Sequence, residues 1–413
     1  MEINKSQEVN ILKDLDSKGK ERDWKGKKIS SLKLSKVYRG IADKIKPEYE
    51  RRGVHIRYKK VKRKVQSGAG MIEISRQEPM GLYDSNGNRV VNYEKRAENM
   101  KFCGSLLEFA KLTESEQKKL INANFCRVPL CPMCQWRKSM RIFFEVSKIM
   151  KIIEARYPNY AAVFLTLTVK NCTLEDLNNN FDIMFEGWKL FLDNRKIKRM
   201  LKGWFRALEI TYDGDEHIGQ RRYNNAQKYY DDRGIKVGDK NPNYNTFHPH
   251  FHVIMLVERK YFKGKDYMHT SEWVQLWRRS ARLDYDPVCD IRKTRTSTEK
   301  RKEVAEVAKY TYKDAEILSK RLSDEKQEAV VKNLSGALHG RRLYAYGGVM
   351  KEIAAELKLN DDKADLVNVD DDSGINPALA TMIVSYRWNM GVSNYVFSKK
   401  TEVTDDSDND IGH

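Results

Sequence analysis

His248, His250 and His252 stand at alternate positions in the run HPHFHVIML, residues 248 to 256. In an extended chain residues i, i+2 and i+4 point to one side, so the three imidazoles share a face while Phe251, Val253 and Met255 occupy the other. Histidines on a strand can form nothing more than a hydrogen-bonded polar crust. Imidazole is also the commonest nitrogen ligand for a metal, and three in register make a ready row of ligands. Spacing alone does not select the ion. The cysteines are more specific. FCRVPLCPMCQWRKS brings Cys126, Cys131 and Cys134 together, Cys131-Pro-Met-Cys134 makes a two-residue knuckle, and Cys103 in KFCGS is the natural fourth member. Four thiolates suit a structural Zn²⁺ that pins a loop-rich segment with little core of its own. A redox reading of the CxxC lacks the βαβ surroundings such chemistry uses. Cys172 and Cys289 lie in or beside apolar strand signals and read as core fillers.

EVAKYTYKD supplies a third set of reactive groups. On a helix turning roughly 100° per residue, Glu306, Lys309, Tyr310 and Lys313 fall on one face, while Tyr312 points roughly 160° away from Tyr310. A Glu–Lys pair on a helix is ordinarily a surface ion pair worth about 0.3 kcal/mol. A phenol, with an ordinary pKa of about 10, attacks phosphorus only when a metal draws charge from the phosphate and nearby cations favour the phenolate. The histidine row and the two lysines together offer those aids.

Elements must hold these groups in place. AAVFLTLTVKN (161–171), WFRALEIT (204–211), HFHVIMLV (250–257) and VCDIRK (288–293) have the β-branched, apolar character of strands. Helical spacing marks RIFFEVSKIMKIIEARYP (141–158), LEDLNNNFDIMFEGWKLFLDNRKIKRML (174–201), SEWVQLWRRSARL (271–283) and TEKRKEVAEVAKYTYKDAEIL (298–318). The order predicts an α+β fold, an antiparallel sheet with flanking helices covering one face. The expected organisation is a basic N-terminal arm with short helices over 1–95, loop-rich from 66, and a four-cysteine zinc-binding segment over 96–140. A catalytic domain over 141–320, a helical C-terminal region over 321–395 and a disordered acidic tail over 396–413 complete it. The polar loop 213–247 is too long for a plain turn.

Charge narrows the partners. The 413 residues carry 77 Lys+Arg against 58 Asp+Glu, a net of +19 with pI near 9.4, which favours polyanions, nucleic acid first and anionic membranes second. Residues 1–65 alone hold 21 Lys+Arg and 9 Asp+Glu and end in KKVKRKV. No apolar run approaches the roughly 18 to 20 residues that span a bilayer. MEINKSQEVNILKDLDSKGK has no signal-peptide core, so the expected location is the cytoplasm, where thiols stay reduced.

FLTLTVKN, HPHFHVIM and EVAKYTYKD, in this order, resemble the three motifs of the rolling-circle replication initiators of Gram-positive plasmids, members of the HUH endonuclease superfamily with a single catalytic tyrosine. CRVPLCPMCQWRKS resembles the cysteine segment that precedes their first motif, and GRRLYAYGGVMKEIAAELKL resembles their C-terminal continuation. The likeness runs from about 100 to 395; residues 1–95, the 213–247 loop and the acidic tail have no clear counterpart. The resemblance implies an HUH-like fold in which His250 and His252 bind catalytic Mg²⁺ or Mn²⁺, Glu209 is the third ligand, and His248 is an accessory candidate. It makes Tyr310 the nucleophile and Glu306 the base of a later step, with Lys309 and Lys313 beside them. Arg137, Lys138, Lys170 and Arg206, close to the motifs, are candidate phosphate contacts. The expected partners are plasmid origin DNA, as unpaired strand or hairpin and as duplex, with a host helicase and DNA polymerase; oligomeric state is open. A single-strand transposase or relaxase-like enzyme would share the chemistry, a zinc-stabilised DNA-binding regulator would leave the Glu306–Tyr310 register unused, and an iron oxygenase would use the same two histidines and carboxylate.

Overall fold

The computed structural model describes residues 10–16, 18–67, 70–112, 118–264, 266–294, 297–309, 318, 322–359, 366–367, 369 and 380–402. From the N-terminus come α1 (Trp24–Arg51), β1 (His55–Ser67), β2 (Gly70–Tyr83), β3 (Arg89–Val90), α2 (Tyr93–Phe102), β4 (Leu106–Lys111), β5 (Lys118–Ala123) and α3 (Pro132–Arg156). The middle of the chain forms β6 (Tyr160–Thr168), α4 (Leu177–Asp193), α5 (Arg195–Met200), β7 (Leu201–Asp213), α6 (Gln220–Asn225), α7 (Gln227–Asp231) and β8 (Thr246–Glu258). Then follow α8 (Thr270–Ser280), β9 (Cys289–Lys293), α9 (Ser297–Val307), a helix over Asp324–Ala337, β10 (Tyr344–Gly348), a helix over Val349–Glu356, β11 (Met382–Asn389) and β12 (Asn394–Glu402). The fold is α+β, with antiparallel pairing throughout its sheets.

The central sheet runs β10-β7-β8-β6-β9, which puts the histidine strand in the middle. Every residue of β8 from Pro249 to Val257 is buried. One face, with Phe251, Val253 and Met255, meets Phe181, Trp188 and Phe191 of α4 and Trp273 and Trp277 of α8. The other, with Ile254 and Leu256, meets Val146 and Ile149 of α3, Val304 and Val307 of α9, and Met350. The expectation of helices on one face is thus corrected: both faces are covered. The physical reason is that β8 is apolar at almost every position past His252, the mark of a strand buried on both sides. Each such side chain stabilises the fold by about 1.5–3 kcal/mol relative to exposure.

Two glycines set close approaches. A Cβ on Gly187 of α4 would lie 2.8 Å from Ala281 Cα, so α4 and the end of α8 meet backbone to side chain on the sheet. Gly348, at φ +54°, would bring a Cβ within 2.3 Å of the Lys202 carbonyl, where β10 turns off β7 into the next helix.

The ends of the chain depart from the sequence reading. Instead of short helices in an arm, α1 is 28 residues long, capped by Asp23, whose side chain accepts from Gly26 N at 2.9 Å. Its Leu34, Tyr38, Ile41 and Ile45, at helical spacing, are buried in the main core. Much of the stretch read as loop from residue 66 is the hairpin of β1 and β2. The C-terminal region is not helical alone. β11 and β12 join β4 and β5 in a four-stranded sheet of order β12-β11-β4-β5, and residues 396–402, read as tail, lie in β12. Residues 403–413 are outside the described set. The 213–247 loop carries α6 and α7, held by Arg222 on Asp213 and by Asn241 Nδ2 donating 2.7 Å to Asp213 Oδ1. Among the described residues no helix is long and apolar enough to cross a membrane.

Candidate functional site

Strand register assembles a candidate metal site. In the β7–β8 ladder Glu209 lies opposite His250 and Ala207 opposite His252, and in the β6–β8 ladder Thr168 and Thr166 take those places. Glu209, His250 and His252 therefore converge, all buried, on the face covered by α3 and α9. His250 Nε2 and His252 Nε2 are 3.1 Å apart, and Glu209 Oε2 lies 2.9 Å from His252 Nε2 and 3.4 Å from His250 Nε2. Adjacent ligand atoms on an octahedral ion at about 2.1 Å are roughly 3.0 Å apart, so the three donors fit one triangular face of such a site. Burial alone would raise the Glu209 carboxyl, but hydrogen bonds from His250 and His252 hold it well below the usual carboxylate range.

The ring orientations are fixed from behind. His252 Nδ1 lies 3.2 Å from Thr166 Oγ1, and His250 Nδ1 lies 3.1 Å from the His248 carbonyl, which leaves both Nε2 atoms facing Glu209. Thr166 was not singled out in the sequence; its position two residues before Thr168 in FLTLT becomes meaningful only once the β6–β8 register is known. Arg292 of β9, paired with Asp290, adds a cation near Glu303 and Glu306.

Glu306, near the end of α9, reaches the same place: its Oε1 is 3.7 Å from His252 Nε2, and Lys309 pairs with it. Ser139 of α3 donates to the Ala308 carbonyl and fastens this helix end to α3. Tyr310 and Lys313 lie outside the described residues.

His248 stands apart from the ligand triangle. Its ring stacks on His250 at 5.2 Å between centroids, and burial, together with the neighbouring His250, pushes it down to about 4. A neutral imidazole there lines a cavity of about 1030 Å³ with Tyr212, Tyr229, Tyr285, Lys170 and Arg233. Lys170 is exposed at that cavity, its ammonium 4.0 Å over the Tyr285 ring. Lys138 is half-buried, 4.9 Å over Tyr344. Two of the candidate phosphate contacts need correction. Arg137 is fully buried, donating from Nε to Leu366 O at 2.9 Å and from Nη2 to Val367 O at 2.8 Å. Arg206 is buried between the rings of Phe185 and Phe251, and burial, then Arg342, pushes it down to about 10. Both guanidiniums are buried inside the protein, Arg206 donating from Nη2 to the Arg342 carbonyl at 2.9 Å, and neither is placed to meet a phosphate on its surface.

The four cysteines form a second cluster. Sγ separations are 3.5 Å for Cys103–Cys134 and 3.6 Å for both Cys126–Cys134 and Cys131–Cys103. A tetrahedron of thiolates around zinc, at about 2.3 Å from the ion, has edges of roughly 3.8 Å. The Arg127 amide, in a left-handed turn at φ 57°, donates to Cys134 Sγ at 3.2 Å, as knuckle amides do toward thiolates. Lys28 of α1 is 1% exposed, and its ammonium donates to Lys101 O at 2.8 Å and Cys103 O at 2.7 Å. A Zn²⁺ held by four thiolates would carry charge −2, which this buried cation would offset by half. Cys172 is buried and Cys289 half-buried, both away from the cluster. Elemental analysis should find about one zinc per chain. Cys131→Ser should release it and lower stability by at least about 3 kcal/mol. Unchanged stability in a zinc-free protein would leave these residues as ordinary reduced thiols.

The comparisons with known proteins agree on one family. The family model Rep_1, described as "Replication protein", matches residues 117–396. A "Protein rep" of Bacillus amyloliquefaciens is 31% identical over 408 residues, 94% of this chain and 98% of that protein. A "Protein rep" of a Bacillus species is 34% identical over 293 residues, 67% of this chain and 86% of its own length. One from Streptococcus pneumoniae is 28% identical over 394 residues, 94% of this chain and 96% of the relative. No solved structure matches the chain.

Proposed function

The chain belongs to the Rep_1 family of replication proteins, and from that premise we propose that it starts plasmid rolling-circle replication by cutting one origin strand with a tyrosine. One observation carries this reading: the Glu306 carboxylate of α9 stands 3.7 Å from a ligand row, His250, His252 and Glu209, whose geometry fits a divalent ion. His250, His252 and Glu209 would hold Mg²⁺ or Mn²⁺. When bound, the ion supplies charge withdrawal at a non-bridging oxygen of the scissile phosphate. These features also support an HUH-type arrangement, in which motif order along the chain becomes proximity on a central antiparallel sheet.

The protein's own groups do the rest. Tyr310 follows Glu306 by four residues in the sequence. Its oxygen bonds to phosphorus as the bond from phosphorus to the 3′ oxygen breaks. The phenolic proton leaves to water, favoured by Lys309 and Lys313, and the departing oxygen takes a proton to become a 3′ hydroxyl. The 5′ phosphate stays on the tyrosine, and the hydroxyl primes a host polymerase behind a host helicase. At the end of a round Glu306 removes a proton from water, or from the new 3′ hydroxyl, and the attacking oxygen displaces Tyr310. The buried ligands admit only a strand that can leave its duplex partner, so the substrate is unpaired or extruded DNA. The aromatic cavity beside His248, with Lys170 at its surface, suits nucleotides flanking the cut, because base faces stack on tyrosines.

The test tiles single-stranded oligonucleotides across the origin strand, labelled at either end, with Mn²⁺ and then after chelation. Cleavage should leave one fragment with a free 3′ hydroxyl and the other bound to protein. Binding without cleavage anywhere on the strand would favour the regulator reading, and cleavage that survives exhaustive chelation would remove the metal from the mechanism.

A further inference from the structure

We propose that the β1–β2 ribbon is a reader of duplex DNA, laid in the major groove of the origin double helix while the metal face works on the unpaired strand. The ribbon is a separate site from that of the cleavage reading and shares with it only the premise that the partner is DNA.

Its packing is the first reason. His55 through Lys60 are six successive exposed residues, and Glu73 and Ser75 through Gln77 on the opposite strand are exposed as well. A strand with one covered face alternates buried and exposed positions; among the described residues His55 through Lys60 show no such alternation, and an isolated two-stranded hairpin is marginal in water. The register is nonetheless continuous from His55–Tyr83 to Ser67–Gly70, with one bulge after Arg57. Charge is the second reason. Residues 57 to 64 hold six cations, Arg57, Lys59, Lys60, Lys62, Arg63 and Lys64, and no carboxylate, and residues 55 to 83 hold seven cations against Glu73 and Glu78. Along a strand that is one positive charge per roughly 4 Å. A field of one sign repels itself until a polyanion neutralises it, and duplex DNA offers one negative charge per about 1.7 Å of axis.

Shape selects the duplex. The major groove, about 12 Å wide, admits a two-stranded ribbon. The 13 residues of β1 reach about 40 Å, slightly more than one turn of the double helix. A single strand instead needs a groove with stacking platforms, and β1 offers only Tyr58. An anionic bilayer needs an apolar face, and Ile56 and Tyr58 share theirs with Lys60 and Lys62. The mount is firm: Arg52 Nη2 meets Asp84 Oδ2 at 2.9 Å, Val54 N donates to Tyr49 O at 2.9 Å, and Arg57 lies 4.6 Å over the Tyr83 ring. These contacts fix the root of the ribbon to α1, whose apolar face is part of the main core.

The experiment uses the full chain with Lys59, Lys60 and Lys62 all changed to alanine; all three are exposed, and Lys62 pairs with Glu73. Affinity for a duplex origin fragment should fall at least about tenfold near 0.15 M salt, and the slope of log affinity against log salt should flatten by about 2 to 3. Cleavage of the single-stranded origin oligonucleotide should stay within about twofold of wild type. Unchanged duplex affinity overturns the proposal. So does an equal loss on single strands, which would make the ribbon a general clamp, or a loss confined to anionic phosphatidylserine vesicles. If the wild-type protein cuts no single strand while the variant still loses duplex affinity, the cleavage reading fails and the ribbon proposal stands.

Discussion

Alanine at both His250 and His252 should lower single-strand cleavage by at least about 10³-fold, while affinity for the same oligonucleotide should change by less than about threefold. The large term follows from what the two imidazoles do: charge stabilisation by a divalent ion at phosphorus is worth several kcal/mol, and each 1.4 kcal/mol is tenfold in rate. The small term follows from where they are. Both rings are buried under α3 and α9, 8% and 6% exposed, and the strand is attracted instead by surface cations. The double variant should also bind no Mn²⁺ above the level of a protein lacking the site, which calorimetry or electron paramagnetic resonance reads without any DNA. Equal losses of cleavage and of DNA affinity would show that the histidines hold the fold rather than an ion. A control keeps this readable: far-ultraviolet circular dichroism should match wild type at the assay temperature, while the thermal midpoint should fall, because the buried Glu209 carboxylate loses the hydrogen bonds of both imidazoles.

Tyr310→Phe should abolish both the cut and the covalent DNA adduct, and Tyr312→Phe should keep both. Glu306→Ala behaves differently again. In the proposed mechanism its carboxylate serves the release step and not the first attack, so nicking should persist in part while the protein–DNA adduct should accumulate and turn over at least about 10²-fold more slowly. The structure adds a reason to separate the two: Lys309 is paired with Glu306, so removing the carboxylate frees an ammonium that still favours the phenolate. Peptide mapping of the trapped adduct decides it. A phosphotyrosine at Tyr312, or normal release without Glu306, would show that the helix-face argument chose the wrong side.

The two ligand sets were legible because they are local. A knuckle of Cys131 and Cys134 needs only a turn, and His250 with His252 needs only the two-residue repeat of a strand. Glu209 is 41 residues before His250, and nothing in RALEIT distinguishes it from an ordinary strand glutamate; only the family resemblance pointed to it, and the β7–β8 register supplies the physical cause. Thr166 was missed for the same reason. Arg137 and Arg206 were misread because charge is visible in a sequence and burial is not. The carbonyls that satisfy Arg137 lie 229 and 230 residues further on. The ribbon escaped notice because KKVKRKV lacks the alternation by which half-buried strands announce themselves. The strands β11 and β12 were lost in a region read as helical and an adjoining stretch read as acidic tail, though VSYRW and NYVF are rich in strand formers.

The pairing of β4 with β11 has a consequence for how the protein is made. Tyr395, wholly buried, donates to Gly104 O at 2.6 Å across 291 residues of chain, right beside Cys103. At a synthesis rate of about 5–20 residues per second, the cysteine segment leaves the ribosome roughly 15–60 s before the strand that closes over it. During that interval the thiols are open to zinc, to oxidants and to one another, and β4 presents an uncovered edge that invites pairing with a neighbouring chain. If the four cysteines hold zinc, its capture by the nascent chain is a kinetic step in its own right. Yield of active protein in an expression host should respond to zinc supplied during translation far more than to zinc added afterwards.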